Sequence, residues 1–309
     1  MARFAIAATL CAVLVVVSCG QDRDRAGSPA PPPAPGPSAT SPGPAPTGRF
    51  AVGVRELRLA RSADRPLRTL VLFPAVPTGR NPLPQPAPAI VTPRPGMTPR
   101  PGRYPLVLFS HGLHGSPERY SPAVASWAAA GFVVAVPAYP HTNKKAAPYI
   151  RADFVNQPAD AEYVLREVMK LANAPGDPLE GHIDTTRIGA VGHSAGGYTT
   201  IGLFRSGHNA RIKAGVVIAG WLAPGAYGGP PARMLFVHAD NDRTIPIADG
   251  RAAFDRVPWA GKRFELLPGA GHAAYMLPGE PGYAEMDRLV TTFLLATLGG
   301  EQQAPLQRG

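Results

Sequence analysis

From Phe50 to Leu298, short continuous apolar runs alternate with stretches whose apolar residues recur at helical spacing, and few architectures accept that pattern. Residues 52–59 and 69–73 read as two opening strands around a turn at Ala63-Asp64. Further strands are predicted at 106–109, 132–136, 187–191, 214–219, 234–238 and 263–267. Several of these runs lack polar alternation, as in a strand buried on both faces. A helix is predicted from Ser116-Pro117-Glu118, with serine as N-cap, Tyr120, Val124, Trp127 and Ala128 on one stripe, and Gly131 as its end. Others are predicted at 158–172, 195–204 and 248–257, and a closing one carries Met286, Leu289, Val290, Phe293 and Leu294. The expected class is α/β, with a mainly parallel central sheet covered by helices on both faces. Sites in such sheets lie at the carboxyl ends of the strands.

At one of those ends the chain reads Gly192-His193-Ser194-Ala195-Gly196, between a buried strand and a helix. A tight strand-to-helix turn brings the flanking backbone close to the serine, and glycine two residues away on either side avoids a Cβ clash. A serine hydroxyl becomes a nucleophile when a base accepts its proton and an acid orients the base. The loop after strand 234–238 holds Asp240 and Asp242, and the loop after strand 263–267 holds His272 in Gly269-Ala270-Gly271-His272. His111, His182, His193, His208 and His238 are the rival bases. Only His272 follows the last strand in a glycine-rich loop.

The strings VLFSHGLHG, GFVVAVPAYPH, IDTTRIGAVGHSAGG, HADNDRTIP and GAGH together resemble the catalytic framework of an α/β-hydrolase. The type is the lidless secreted serine esterase, similar to dienelactone-hydrolase-like, platelet-activating-factor-acetylhydrolase-like and cutinase-like polyester hydrolases. The resemblance implies an α/β-hydrolase fold without a cap domain, because only a dozen residues, WLAPGAYGGPPA, separate Gly220 from Arg233. It implies Ser194 as nucleophile, Asp242 rather than Asp240 as acid, and His272 as base. The Leu113 and Ala195 amides become the oxyanion donors, and the activity hydrolysis of carboxylic esters. It places Trp221 as one wall of the cleft, with Tyr139 and His141 as weaker candidates for the other. Polyester hydrolases of this kind often have a C-terminal disulfide and methionine after the serine, whereas this chain has no cysteine there and carries Ala195. No cofactor or metal is expected, since no H-E-x-x-H or phosphate-loop spacing occurs. Two other readings are an acyltransferase using the same triad and an idle α/β-hydrolase fold serving as an envelope interaction module.

The N-terminus bears on location. Arg3 precedes an apolar run from Phe4 to Val17, and Val16-Val17-Ser18-Cys19-Gly20 resembles a bacterial lipobox. Residues 1–18 are expected to be a lipoprotein signal and Cys19 the lipidated N-terminus, giving an envelope-anchored or secreted protein. Residues 19–48 read as a proline-rich linker, of which 28–48 extends up to roughly 65 Å at about 3.1 Å per residue. Residues 50–298 form the catalytic domain and 299–309 a tail. Both cysteines, Cys11 and Cys19, lie in the export segment, so the domain relies on its apolar core. The formal charge of +10 comes mostly from scattered arginine, without the basic clusters of a nucleic-acid binder, and no nucleic-acid partner is expected. A second proline-rich stretch, 74–105, reads as a surface excursion. The expected partners are an ester substrate and, through the lipid, a membrane.

If Cys19 is lipidated, the protein made in a bacterial host partitions into detergent, and Cys19→Ala shifts it to the aqueous phase or leaves it unprocessed. Equal partitioning of the two forms removes the lipoprotein reading.

Overall fold

The computed structural model describes residues 49–77, 90–272 and 274–299. The expected signal, linker and most of the tail lie outside the described residues. Nine strands form one sheet: β1 (Ala51–Ser62), β2 (Arg65–Ala75), β3 (Arg94–Pro95), β4 (Tyr104–Ser110), β5 (Val133–Pro137), β6 (Ile183–His193), β7 (Ile212–Ile218), β8 (Arg233–Ala239) and β9 (Lys262–Leu267). Five α-helices accompany them: α1 (Ser121–Ala129), α2 (Gln157–Lys170), α3 (Ala195–Gly202), α4 (Ile247–Arg256) and α5 (Tyr283–Leu298). The strand order is β3-β1-β2-β5-β4-β6-β7-β8-β9. β1 and β2 form an antiparallel hairpin, β2 joins β5 antiparallel, and β5, β4, β6, β7, β8 and β9 run parallel.

The apolar runs explain the layering. All five residues of β5 are buried, as are six of the seven in β4, because α1 and α5 cover one face and α2, α3 and α4 the other. The core accordingly divides into two clusters, one around Phe109, Trp127 and Phe132, the other around Leu106, Val164 and Phe204. β4 and β6 are neighbours, and the chain leaves β4 toward β5 on one side and β6 toward β7 on the other. That switch point opens a crevice above the carboxyl ends of β4 and β6.

Three local expectations need correction. The first helix begins at Ser121 rather than around Ser116, with Pro122 in its first turn. Residues 117–120 are turns, and Ser116 Oγ accepts the Arg119 amide at 3.3 Å. The stretch 151–173 is longer than one α-helix, because 3-10 turns at Arg151–Asn156 and Leu171–Asn173 flank α2. The 74–105 excursion is also more than a loop. Its described end lays β3 parallel against β1, while the Val76 amide donates to the Thr98 carbonyl and the Arg100 amide to the Pro74 carbonyl, each at 2.9 Å. A short proline-containing segment on an edge protects the hairpin's free backbone from stray pairing.

A buried ion cluster ties the hairpin to α2. Arg65, 7% exposed, donates to both Asp153 oxygens at 2.8 and 2.9 Å and to both oxygens of Asp160, which also meets Arg61. The start of α2 is therefore held by the end of the β1–β2 hairpin.

Candidate active site

Ser194 follows the last residue of β6 directly and adopts φ 58°, ψ −120°, a conformation sparsely populated for any residue with a Cβ. Its neighbours make the turn possible. A Cβ on Gly192 would overlap the Gly196 carbonyl, and one on Gly196 would overlap the Ser110 carbonyl at the end of β4. The turn thereby lifts the Ser194 hydroxyl to the rim of the crevice, where the residue keeps 8% exposure.

Two loops from the far half of the sheet reach it. The Ser194 hydroxyl donates to His272 Nε2 at 2.9 Å, and His272 Nδ1–H donates to Asp242 Oδ2 at 2.7 Å. The other Asp242 oxygen accepts the Thr244 and Ile245 amides, both at 2.9 Å. Burial alone would raise the Asp242 carboxyl. The hydrogen bond from His272 and those two amides instead hold it below its ordinary value, so it stays charged facing the imidazole. Asp240 does a different job: its side chain accepts the Gly269 amide at 2.7 Å and clamps the turn leading to His272. His238 steadies the same acid loop by donating Nε2–H to the Ile245 carbonyl at 2.9 Å.

The Leu113 and Ala195 amides flank Ser194 in the fold, one on the loop after β4 and one at the start of α3. Neither is among the donors of the hydrogen bonds found between described residues. His111 determines how the first of them points. Buried and with its pKa pushed down to about 4, chiefly by burial, it is neutral, donating Nδ1–H to the Gly112 carbonyl at 2.7 Å while Nε2 accepts the Tyr139 amide at 3.2 Å. The Gly115 amide reaches the same carbonyl at 2.9 Å. That carbonyl belongs to the peptide whose N–H is Leu113's, and in a trans peptide the two point in opposite directions. Fixing one aims the other. Gly112 itself must lack a side chain, since a Cβ there would lie 3.0 Å from the Ser194 Cβ.

His193, one of the rival bases in the sequence, contributes by another route. It is 2% exposed, and burial first, then the His272 charge, press its pKa down to about 3. As a neutral ring it donates Nε2–H to the His272 carbonyl at 2.8 Å and accepts the Tyr120 hydroxyl on Nδ1 at 3.1 Å. It thus ties the Ser194 turn to the backbone of the His272 loop. Its position beside the nucleophile was the available signal; the partner across 79 residues was not.

The cleft around Ser194 has a volume of about 130 Å³ and is lined by Gly112, Leu113, His114, Tyr120, His193 and His272, among others. Tyr139 is no wall of it: the residue is fully buried, its hydroxyl 2.7 Å from Ser110 Oγ, because the polar tip finds its partner inside the core. Trp221 does not line this cleft either. It packs edge-on to Phe154 at 5.5 Å and tilted against Tyr198 at 5.6 Å, on the α2–α3 side. His114, stacked on Tyr149 at 3.8 Å, occupies the rim instead. Among the described residues no group of three or more His, Cys, Asp and Glu side chains is arranged to hold a metal ion. No helix among them is long and apolar enough to cross a membrane.

The chain has the α/β-hydrolase fold. A ferulic acid esterase from Streptomyces cinnamoneus superposes with a TM-score of 0.64 at 21% identity, over 86% of this chain and 95% of the esterase. In all, 1059 chains of known structure match, so the likeness identifies an architecture rather than a specificity. The profile of platelet-activating factor acetylhydrolase, isoform II, matches residues 91–174, which carry β4, the 111–115 loop, β5 and α2. No curated protein matches the chain by sequence.

The two buried neutral histidines generate a stability prediction. Their ordinary pKa of 6.5 falls to about 4 for His111 and about 3 for His193 on folding, so from pH 6.5 downward the unfolded chain binds more protons than the folded one. Stability is full above about 6.5 and drains as pH falls toward 4, by up to about 1.4 kcal/mol per pH unit for each ring. Melting between pH 7 and 4.5 should steepen accordingly, and His193→Asn should remove about one proton from that slope. An unchanged slope shows that the ring is not buried neutral.

Proposed function

We propose that the protein is a serine hydrolase that cleaves carboxylic esters through an acyl-enzyme on Ser194. The observation that carries this reading is the continuous relay from the Ser194 hydroxyl through His272 to Asp242, at 2.9 and 2.7 Å, on a turn whose backbone holds the serine at positive φ. As Ser194 Oγ attacks the ester carbonyl, its proton passes to His272 Nε2. Asp242 keeps the imidazole in the tautomer that can accept it and stabilises the imidazolium. The Leu113 and Ala195 amides hold the tetrahedral oxyanion. His272 then protonates the leaving alcohol, and water repeats the cycle on the acyl-enzyme. The matched acetylhydrolase profile and the esterase fold neighbour support ester substrates. The lipobox-like Cys19 and the linker behind it support an enzyme tethered to the envelope and acting on esters presented there.

The cleft favours small acyl groups. A volume of about 130 Å³ buries only a few methylenes, and the 219–232 connection between β7 and β8 contains no helix to close over a longer chain. Each additional CH₂ that stays in water forgoes about 0.8 kcal/mol. On p-nitrophenyl esters, kcat/KM should peak at acetyl to butyryl and fall for longer chains, with no jump in rate where the ester passes its solubility limit. A long-chain optimum or strong interfacial activation contradicts this cleft.

A fluorophosphonate probe should label wild type and not Ser194→Ala. Asp242→Asn should lower turnover by a factor on the order of 10⁴ through loss of the correct His272 tautomer. Asp240→Asn, which retains an acceptor for the Gly269 amide, should cost less than tenfold. A folded wild type that resists the probe and turns over no ester overturns the esterase reading, and reversed effects at the two aspartates reassign the acid.

A further inference from the structure

We infer that Gln157 is a positioning residue that holds the two oxyanion amides in register, an assignment that rests on the esterase reading above. Leu113 and Ala195 belong to different segments, the loop after β4 and the first turn of α3, and nothing in the chain's covalent connectivity sets the distance between them. Besides the close contact of α3 with the end of β4, a buried polar chain bridges them. The His114 amide, next after Leu113, donates to the Thr142 carbonyl at 2.9 Å. Gln157 Nε2–H donates to Thr142 Oγ1 at 2.8 Å. The Thr199 hydroxyl faces Gln157 Oε1 at 2.6 Å and the Ala195 carbonyl at 2.9 Å. The chain therefore starts one residue beyond one donor and ends on the residue that carries the other.

Thr142, Gln157 and Thr199 are each 0% exposed. A buried primary amide is costly unless bonded, and here the Gln157 amide spans the two threonine hydroxyls, a geometry that an apolar side chain of the same length cannot reproduce. The anchor is itself fixed, since Asp153 and Asp160, on either side of Gln157, are held by Arg65. The loop it steadies is also tied to the oxyanion segment by the Lys144 amide on the Gly115 carbonyl at 2.8 Å, the Tyr139 amide on His111 Nε2 at 3.2 Å and the stacking of Tyr149 on His114, so Gln157 is the link that carries this loop's position on to α3. Oxyanion stabilisation is steep in geometry, loss of one donor costing about 10²–10³ in turnover in a protease of this mechanism. Slack between two donors that both survive should cost less.

The test uses the full chain and a soluble short-chain p-nitrophenyl ester, with a trifluoromethyl ketone as probe. The ketone adds the Ser194 oxygen at its carbonyl carbon while the serine proton passes to His272, so the resulting hemiketal oxyanion reports on the amides directly. Gln157→Met should lower kcat about 10- to 100-fold, leave KM within about twofold, and weaken the ketone by a similar factor to kcat. Thr199→Ser should stay within about twofold of wild type, whereas Thr199→Val should follow Gln157→Met; melting curves establish that each variant is folded at the assay temperature. If Gln157→Met does not fold, the Thr199 pair decides. Full turnover and ketone affinity in Gln157→Met, a loss confined to KM, or equal losses in Thr199→Ser and Thr199→Val overturn the role. Wild type that turns over no more ester than Ser194→Ala overturns the esterase reading itself, and this role with it, whereas normal wild-type turnover beside an unaffected Gln157→Met overturns the positioning role alone.

Discussion

The contact between the Gly196 backbone and the Ser110 carbonyl is the constraint around which the rest of the molecule is arranged. It brings the start of α3 against the end of β4 with no room for a Cβ, and it obliges Ser194 to take φ 58°. A conformation of that kind costs on the order of 1–3 kcal/mol and persists only where its surroundings over-determine it. Here they do. α3 is buried along its whole length, the Ser194 amide donates to the Ile218 carbonyl at 2.9 Å, and β6 lies between β4 and β7 in the middle of the sheet. The serine hydroxyl reaches the crevice because the backbone beneath it has no other place to go.

The same economy of placement governs the polar interior. Three buried histidines act as hydrogen-bonded spacers: His111 aims a peptide, His193 ties the Ser194 turn to the His272 loop, and His238 holds the loop after β8 by its Ile245 carbonyl. Each bonds to a main-chain carbonyl, an acceptor that does not change with pH. For His111 and His193 the depressed pKa keeps the ring uncharged, so neither competes with His272 for a proton in the working range. A charged ring at His193, beside His272, would oppose formation of the imidazolium that the proposed mechanism requires.

Much of this was legible in the sequence because it is local. Uninterrupted apolar runs mark strands covered on both faces, and the glycines about Ser194 mark a close approach of backbones whatever the partner turns out to be. The choice of Asp242 over Asp240 rested on the Ile-Pro that follows; in space the two separate cleanly, one carboxylate on His272 and the other on Gly269. What the sequence did not reveal depends on partners far along the chain. Arg65 meets Asp153 and Asp160 across 88 and 95 residues, and the return of 94–95 to the β1 edge hides inside a proline-rich stretch. Tyr139 and Trp221 were misplaced for a related reason. A residue just after a strand can turn into the core or toward the cleft, and the turn chemistry of Tyr139, whose carbonyl accepts Asn143 Nδ2–H at 2.7 Å, leaves its ring facing Ser110.

Removal of Trp221 and Tyr139 from the cleft changes which part of the protein can select a substrate. The rim belongs to Leu113, His114 and Arg119, all on the 111–120 segment, which in the proposed mechanism also supplies an oxyanion donor. His114 is held at φ 54° and stacked on Tyr149, so in the proposed mechanism one segment both carries an oxyanion amide and flanks the substrate. In such an arrangement a poorly fitting acyl group that displaces the rim also displaces the Leu113 amide. Discrimination would then appear in kcat as well as in KM, because the interaction lost is one made chiefly in the transition state.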